Sequence, residues 1–278
     1  GTVFSGTIQA CPAGNLANAA AITLEGTREA GTSVWINGQK TVWAGSATDW
    51  STEYHLAEGE NSLEVQLQDE AGNFGPSVWV DILLDTTAPV VTGISPANNA
   101  FVNTIPASVI ITMQEAGAGV SLAESVHTIQ ENDGSTLNGS WAITDNQLIF
   151  TPAGVLQESQ YTVVVQLEDN LGNRSDQQEF VFVVDVTPPP APEVAPVTSP
   201  TNSVEQQLSG TKEANAAIHI NGEQKINHTE GTAWEEPVTL IEGENVFTIT
   251  AVDRAGNESD PVQVKIVYDN VAPPVVDT

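Results

Sequence analysis

One five-residue motif, the DxxGN loop, occurs three times in the chain: Asp69-Glu-Ala-Gly-Asn73, Asp169-Asn-Leu-Gly-Asn173 and Asp253-Arg-Ala-Gly-Asn257. Each time, a second Asp follows the first by 16 residues and opens a linker that contains proline, at Asp85, Asp185 and Asp269. Carboxylates and loop carbonyls are oxygen ligands that suit the flexible coordination of Ca²⁺, whereas Mg²⁺ demands a stricter octahedron. No Cys/His cluster is present for zinc. The motif therefore predicts calcium chemistry repeated along the chain.

The charge of the chain limits its partners. Seven Lys and Arg stand against 36 Asp and Glu in 278 residues, which gives a net charge of −29. Nucleic acid and anionic membranes both require cationic surface, so neither is expected as a partner, and divalent cations are favoured. An alternative is that the acidity only keeps a secreted protein soluble. With one cysteine, Cys11, no disulfide can form within the chain, and no apolar run approaches the roughly 18 residues of a membrane span.

The chain repeats itself. Residues 22–89 align with residues 206–273 at a constant offset of 184 without a gap, and the match includes Trp50 with Trp234 and Glu29 with Glu213. A more divergent copy lies between them and shares the last strand, the loop and the linker. We therefore predict domains at 1–86, 87–187 and 188–271, and interpret 272–278 as the start of a following repeat in a longer array.

Alternation of apolar and polar residues with period two predicts strands, and no segment has a clear helical period. Asn37-Gly38 and Asn221-Gly222 are typical of two-residue hairpin turns. Short strands with regular turns predict an all-β chain of three tandem immunoglobulin-like β-sandwiches in an elongated array. The alternation assigns these residues to the core: Leu63, Val65, Leu67, Val78, Val80, Ile82, Val163, Val165, Leu167, Phe247, Ile249, Ala251, Val262, Val264 and Ile266, with Trp50 and Trp234 as core plugs.

The first and third domains resemble bacterial Ig-like repeats through the pattern G-T-x-E-A, I-N-G, E-G-x-N, D-x-A-G-N and D-x-x-A-P. The second resembles a related bacterial Ig-like type with an S-P opening and a Y-T-V-x-V strand before its loop. The resemblance covers nearly the whole chain. It implies either an extender array of a large bacterial surface adhesin, often stiffened by calcium, or an accessory module beside a secreted polysaccharide-acting enzyme.

Tracing the strands of such a sandwich separates the two Asp residues of one repeat. Each DxxGN loop follows the sixth strand at the N-terminal pole of its domain, and the second Asp ends the seventh strand at the C-terminal pole. The last-strand Asp of one domain should therefore meet the loops of the next. The predicted calcium ligands are Asp85, Glu115, Asp169 and Asn173 at the first joint, and Asp185, Glu213, Asp253 and Asn257 at the second.

The ends of the chain leave half-sites at Glu29, Asp69 and Asn73, and at Asp269. Carboxylates that converge at a joint repel one another, and a bound cation removes that penalty. In the alternative hypothesis the motif is only a tight turn, with Gly at positive φ and Asp bonded to its own backbone, and the Asn residues touch no metal.

Three tryptophans distinguish the first domain from the third: Trp35, Trp43 and Trp79 align with His219, Asn227 and Gln263. The strand alternation places Trp35 and Trp79 on the outer face of one sheet, with Trp43 on a neighbouring strand. Exposed indoles could bind a glycan or a protein partner, or they could shield the sheet by packing across strands.

We expect a non-enzymatic spacer in a secreted or surface-anchored bacterial adhesin, monomeric, with Ca²⁺ at the joints and neighbouring repeats of the same polypeptide as partners. The four histidines are scattered, and no nucleophile elbow or phosphate loop is present. The alternative function is a carbohydrate- or protein-binding module that uses the tryptophan face, beside an enzyme elsewhere in the parent protein.

Overall fold

The computed structural model describes residues 7–10 and 13–272. Within these residues the chain folds into three successive β-sandwiches, which confirms the predicted all-β class of tandem Ig-like domains. Cys11 and residues 273–278, which hold most of the predicted following repeat, lie outside the described residues. No described helix is long and apolar enough to cross a membrane.

The first sandwich contains β1 (Thr7–Ala10), β2 (Leu16–Ala17), β3 (Ala21–Thr27), β4 (Ser33–Ile36), β5 (Gln39–Val42), β6 (Asp49–His55), β7 (Gly59–Gln68) and β8 (Val78–Leu84), with a 3₁₀ turn at Ala13–Asn15. One sheet has the strand order β1-β3-β6, and the other has the order β2-β8-β7-β4-β5. The strand β2 runs parallel to β8, and the other pairings are antiparallel.

The second sandwich contains β9 (Val90–Ser95), β10 (Ala100–Val102), β11 (Val109–Gln114), β12 (Val126–Glu131), β13 (Gly139–Thr144), β14 (Gln147–Pro152), β15 (Ser159–Gln166) and β16 (Gln178–Val184). Its sheets have the orders β13-β14-β11-β9 and β10-β16-β15-β12. As in the first sandwich, an early strand, β10, runs parallel to the last strand, β16.

The third sandwich contains β17 (Glu193–Val194), β18 (Glu205–Thr211), β19 (Ala217–Ile220), β20 (Glu223–Ile226), β21 (Ala233–Thr239), β22 (Gly243–Val252) and β23 (Val262–Tyr268). Its sheets have the orders β17-β18-β21 and β20-β19-β22-β23. A parallel bridge between Thr201 and Tyr268 takes the place that β2 and β10 hold in the other two domains.

The turns follow from residue types that tolerate positive φ. Asn37 and Gly38 have φ of 48° and 74°, and Asn221 and Gly222 have φ of 53° and 79°. Both central residues of each turn are thus left-handed, as a type I′ hairpin requires. These turns set the register of β4 with β5 and of β19 with β20.

Each sandwich buries its own apolar core. The predicted inward residues of the sixth strands are buried or packed against these cores, and so are Trp50 and Trp234. The prediction for Val78 is wrong: it is the first residue of β8, just after the loop, and 42% of its surface is exposed. The opposite sheet does not cover the end of the strand at that pole.

A half-buried histidine lies between the two sheets of the second domain at their edge. The ring of His127 on β12 lies edge-on to Trp141 on β13, 4.7 Å between ring centroids, where the edge strands of the two sheets come together. Its Nδ1 is buried and has no hydrogen-bond partner among the described residues. Burial lowers the pKa of His127 below its ordinary value, because a charged imidazolium there would lose hydration.

This burial predicts an acid-sensitive second domain. A group whose pKa is lowered by folding takes up its proton first in the unfolded state, so its stabilisation is full above the ordinary pKa near 6.5 and is lost as the pH falls. Between pH 8 and 5.5, the thermal midpoint of the intact chain should fall less in His127→Phe, which keeps the ring contact with Trp141. The exposed His55 supplies the control, since His55→Phe should retain the wild-type slope. Equal slopes in all three proteins would contradict the prediction.

Candidate metal centre at the interdomain joints

All three DxxGN loops have the same internal geometry. The Gly at the fourth position has a φ of 90° at Gly72, 91° at Gly172 and 90° at Gly256, a conformation that other residues rarely adopt. The first Asp accepts the backbone N–H of the Asn through Oδ1, at 2.8 Å in the first copy and 2.9 Å in the other two. The tight turn of the alternative hypothesis is thus present in every copy, and it is compatible with a further role for the Asn.

That further role is a hydrogen bond between domains. The side-chain amide of Asn173 donates to Oδ2 of Asp169 and, at 2.9 Å, to the backbone carbonyl of Asp85 in the preceding domain. Asn257 repeats this arrangement with Oδ2 of Asp253 and, at 2.8 Å, with the carbonyl of Asp185. Because both N–H groups of each amide are used, only the amide oxygen of either Asn remains free to bind a metal.

Three carboxylates meet at the first joint. Oxygens of Asp85, Glu115 and Asp169 lie within 4.8 Å of one another. Asp85 and Asp169 are each 1% exposed, and Glu115 is half-buried. Three of the four ligands predicted from sequence thus contribute to one cluster, and Asn173 lies beside it.

Backbone N–H groups already hold part of this cluster. Oδ1 of Asp85 accepts the N–H and the hydroxyl of Thr87, and its Oδ2 accepts the N–H of Ala118 in the second domain at 2.6 Å. Oε1 of Glu115 accepts the N–H of Gly117 at 2.8 Å. The loop after β11 therefore wraps around the carboxylate that ends the first domain.

The electrostatics of the cluster are unequal. Burial acts to raise the pKa of Asp85, but hydrogen bonds from Ala118, Thr87 and Glu115 outweigh it and leave that pKa below its ordinary value. The pKa of Glu115 is raised, first by burial and then by the charges of Asp85 and Asp169. Two unit charges 4.8 Å apart repel by about 3.5 kcal/mol at an effective dielectric constant near 20. The repulsion between like charges thus acts mainly against the ionised form of Glu115.

The donor set fits a hard divalent cation. Among the described residues, no Lys, Arg or His forms an ion pair with any member of the cluster. Carboxylates from three separate segments, with loop carbonyls nearby, are the ligand type and flexible arrangement that Ca²⁺ accepts. The side chains that would hold the ion are Asp85, Glu115 and Asp169.

The second joint is built differently. Burial, together with the charges of Asp253 and Glu158, raises the pKa of Asp185. Glu213 is exposed, and the described residues contain no second group of three His, Cys or carboxylate ligands as close as the first. The predicted ion at this joint therefore stays a prediction, without Glu213 in a preformed cluster.

Basic residues occupy the neighbourhood of the second joint. The buried Lys212 directs its ammonium to the carbonyls of Glu213 and Thr229, whereas Gln114 stands at the aligned position of the second domain. Arg254, inside the DxxGN loop, lies 5.6 Å from the ring of Phe101 in the preceding domain. Arg254 is thus a cation that reaches across this joint, whereas the bonds of Lys212 stay within the third domain.

At the half-site of the first domain, the DxxGN loop has the same internal hydrogen bonds as the loops at the joints. Asn73 donates its backbone and side-chain N–H groups to Asp69, and these bonds lower the pKa of Asp69. Glu29 is exposed, and Asp269 accepts the N–H of Val271 through Oδ1. Whether these residues bind metal stays a prediction.

The structure adds two joint contacts that the sequence reasoning missed. Asn18 donates to the carbonyl of Leu171 in the next domain at 3.1 Å, and its match at the offset of 184, Asn202, gave a signal just outside the aligned block. Glu58 accepts the N–H and hydroxyl of Thr86 in its own linker. Glu158 accepts an N–H and a hydroxyl of its linker, and Glu242 accepts one N–H. The signal there was a constant spacing of 27 residues before the last-strand Asp (58 to 85, 158 to 185, 242 to 269).

The three tryptophans of the first domain do not form one surface. Trp35 on β4 is half-buried beneath Phe74, whose ring is edge-on with 5.1 Å between centroids. The ammonium of Lys40 lies 5.2 Å from the ring of Trp35 and 4.9 Å from that of Trp43. Trp79 on β8 stands apart, 61% exposed. The shielding hypothesis thus describes Trp35, and the exposed-face hypothesis describes Trp43 and Trp79.

Comparison with known proteins identifies the middle of the chain. Residues 85–184 match the family model of a bacterial Ig-like domain. The predicted resemblance is confirmed for this segment: the second domain is a bacterial Ig-like domain. None of the curated proteins compared with the chain matches it.

Several solved structures resemble the chain. The fibronectin(III)-like modules of CbhA from Clostridium thermocellum are 16% identical, with 68% of this chain and 99% of that chain covered and a TM-score of 0.42. The titin fragment I67–I69 is 10% identical, with 91% and 94% covered and a TM-score of 0.40. CopC from Methylosinus trichosporium OB3b is 20% identical, with 35% and 93% covered and a TM-score of 0.30. At these values the similarities carry no information about ligands or partners.

Gly117 provides a direct test of the first joint. A Cβ at this position would lie 2.1 Å from Oδ2 of Asp85, so Gly117→Ala should force the two domains apart at this contact. Faster proteolysis of the linker at residues 86–89 and a larger maximum dimension in X-ray scattering are the expected results. Gly154→Ala is the matched control, because a Cβ there meets no atom within 4 Å. A Gly117→Ala protein that behaves like the control would show that the joint does not depend on this contact.

Proposed function

We propose that the chain is a non-enzymatic spacer segment of a secreted or surface-anchored bacterial adhesin, in which calcium at the first joint fixes one Ig-like domain against the next. The observation that carries this proposal is the recurrence of one joint design. At both joints, the carbonyl of the last-strand Asp accepts the side-chain amide of the next DxxGN loop. Because this hydrogen bond is present at both boundaries, its role concerns the arrangement of successive domains rather than a single binding site.

The acidic cluster gives the spacer its proposed calcium dependence. Asp85 belongs to the first domain, and Glu115 and Asp169 belong to the second, so an ion held by all three would bridge two bodies. Without an ion, the repulsion among these carboxylates opposes docking, and a bound cation turns the same charges into an attraction. Calcium thus favours the docked arrangement over any arrangement in which the three residues separate.

The second joint has contacts across the boundary that need no ion, and the ion predicted there stays a prediction. Arg254 reaches Phe101 across the boundary, and Asn257 holds the carbonyl of Asp185. A cation–π contact contributes about 0.5–2 kcal/mol, depending on how far the cation is dehydrated. On this proposal the removal of calcium loosens the first joint more than the second.

The extracellular setting rests on the family and on the proposed ion. Bacterial Ig-like domains are typical of extracellular and surface proteins, and residues 85–184 match such a domain. A joint that needs calcium suits an environment where calcium is plentiful. The partners proposed for the chain are neighbouring repeats of the same polypeptide, with the chain acting as a monomer.

A non-enzymatic role agrees with the chemistry of the cluster. General acid–base catalysis requires a group free to exchange a proton with a substrate. The carboxylates of Asp85 and Glu115 are instead tied to backbone N–H groups of the joint. Their positions recur in sequence at the next boundary, as Asp185 and Glu213.

Calcium should raise the thermal midpoint of the intact chain and reduce its flexibility in X-ray scattering, and EDTA should reverse both. At a calcium concentration about 100-fold above the dissociation constant, the docked state gains about 2.7 kcal/mol. Glu115→Gln should abolish this response. The same substitution should leave the metal-free protein as stable as the wild type or more stable, because it removes one of three mutually repelling charges.

The matched control for this variant is Glu213→Gln, which changes the aligned position of the third domain, where the side chain is exposed. This protein should keep the wild-type response to calcium. A wild type whose length and stability ignore EDTA would overturn the calcium proposal. A response lost in Glu213→Gln but retained in Glu115→Gln would move the ion to the second joint.

A further inference from the structure

A cleft of about 520 Å³ lies on the outer face of the first domain, along β7 and β8. Its size falls within the range of roughly 300–1,000 Å³ that is usual for small-molecule sites. The side chains that matter for binding are those of Glu60, Ser62 and Asp81, with Leu16 and Leu83 on one wall. Glu60 and Asp81 are exposed, and neither forms an ion pair among the described residues.

Trp79 extends this cleft along the sheet. Ser62 is paired with Asp81, and the next outward pair along the same two strands is Glu64 with Trp79. Residues two apart on a strand project from the same face, about 7 Å apart, so Trp79 and Asp81 occupy successive outward positions of β8. The ammonium of Lys40 lies near the rings of Trp35 and Trp43, whereas Trp79 has no ring or cation contact within the described part of the chain.

The third domain shows that the fold does not require these residues. At the offset of 184, Gln263 replaces Trp79 and Lys265 replaces Asp81, while Glu244 corresponds to Glu60. Lys265 and Glu244 form an ion pair of 3.3 Å, so on this surface of the third domain the charge of Glu244 is balanced by a residue of the same domain. The same module in the first domain has two acids and an open indole instead.

We infer that this cleft of the first domain binds a polysaccharide with free amino groups, such as a glucosamine polymer. A pyranose ring has an apolar face of C–H bonds that can lie on an indole, while its substituents point outward from the ring edge. Stacked on Trp79, such a ring places an ammonium group beside Asp81 and Glu60 and a hydroxyl beside Ser62. The ammonium group of the sugar would thus balance the acids of the first domain, as Lys265 balances the charge in the third domain.

The charge of the chain favours this ligand over acidic polymers. The net charge of −29 and the two acids of the cleft oppose acidic glycans. Extended peptides commonly bind by pairing with a free sheet edge. Because β2 pairs only with Leu83 and Leu84 of β8, a basic peptide stays the competing ligand in the test. A positively charged ligand with a sugar ring that can stack on Trp79 matches the residues of this surface.

The test is calorimetric titration of the intact chain at low salt with a β-1,4-linked glucosamine tetramer. The N-acetylated tetramer keeps the rings and loses the ammonium groups, so it should bind at least about tenfold more weakly. Trp79→Gln and Asp81→Lys copy the third domain, and each should weaken binding by about tenfold or more. High salt should weaken the binding as well, because exposed charges are screened.

The control is Trp43→Asn, which copies Asn227 of the third domain outside the cleft and should bind like the wild type. Unchanged thermal midpoints for all variants would show that their folds are intact. The inference fails if the wild type binds neither tetramer, or if Trp79→Gln and Asp81→Lys bind as the wild type does. Tighter binding of tetralysine than of the glucosamine tetramer would assign the cleft to basic peptides instead.

Discussion

Burial of a negative charge at a domain boundary is the constraint on which the rest of this structure depends. Asp85 ends the last strand of the first domain and is 1% exposed, so its charge must be balanced by groups of the next domain. A hydrogen bond from Ala118 meets one carboxylate oxygen, and Asn173 meets the backbone carbonyl. Burial of a charge is costly unless it is paired and hydrogen-bonded, so the last strand of one domain specifies where the next domain docks. The position of the second domain relative to the first is thus set in part by the groups that balance the charge of Asp85.

The two joints satisfy the same constraint with different balances of charge. The first gathers three carboxylates that form no ion pair with a basic residue in the described part of the chain, and Gln114 precedes Glu115. At the second, Lys212 stands at the aligned position and Arg254 reaches into the preceding domain. At both joints an Asn side chain bonds to the carbonyl of the last-strand Asp. The two joints thus share this geometry and differ in the charged residues around it. On the proposed function, one array combines a joint that responds to calcium with a joint at which Arg254 reaches across the boundary. Hydrogen bonds then position the domains, and charges set the strength of the contact.

The first and third domains show what a repeated module can change without losing its fold. Their cores and hairpin turns correspond position by position, yet the outer face of β7 and β8 carries Trp79 and Asp81 where the third domain has Gln263 and Lys265. Outward positions of a sheet contribute little to the core, so they are free to acquire binding chemistry. The tryptophans of the first domain differ in their contacts, because the ammonium of Lys40 lies 5.2 Å and 4.9 Å from the rings of Trp35 and Trp43 and makes no such contact with Trp79. Neighbouring residues of one chemical type thus serve different purposes.

The sequence by itself determined the strands, the Asn-Gly hairpins, the repeats and the opposition of each last-strand Asp to the next DxxGN loop. These follow from local periodicity, turn chemistry and the alternation of strands between two poles. It did not determine that Glu115 joins the acidic cluster while the aligned Glu213 faces solvent, or that Val78 lies outside the core. The amide bridge to the carbonyl of Asp85 was equally invisible. Only the tertiary structure decides such features, because contacts across a joint depend on how two rigid bodies are placed, and strand periodicity describes one body at a time.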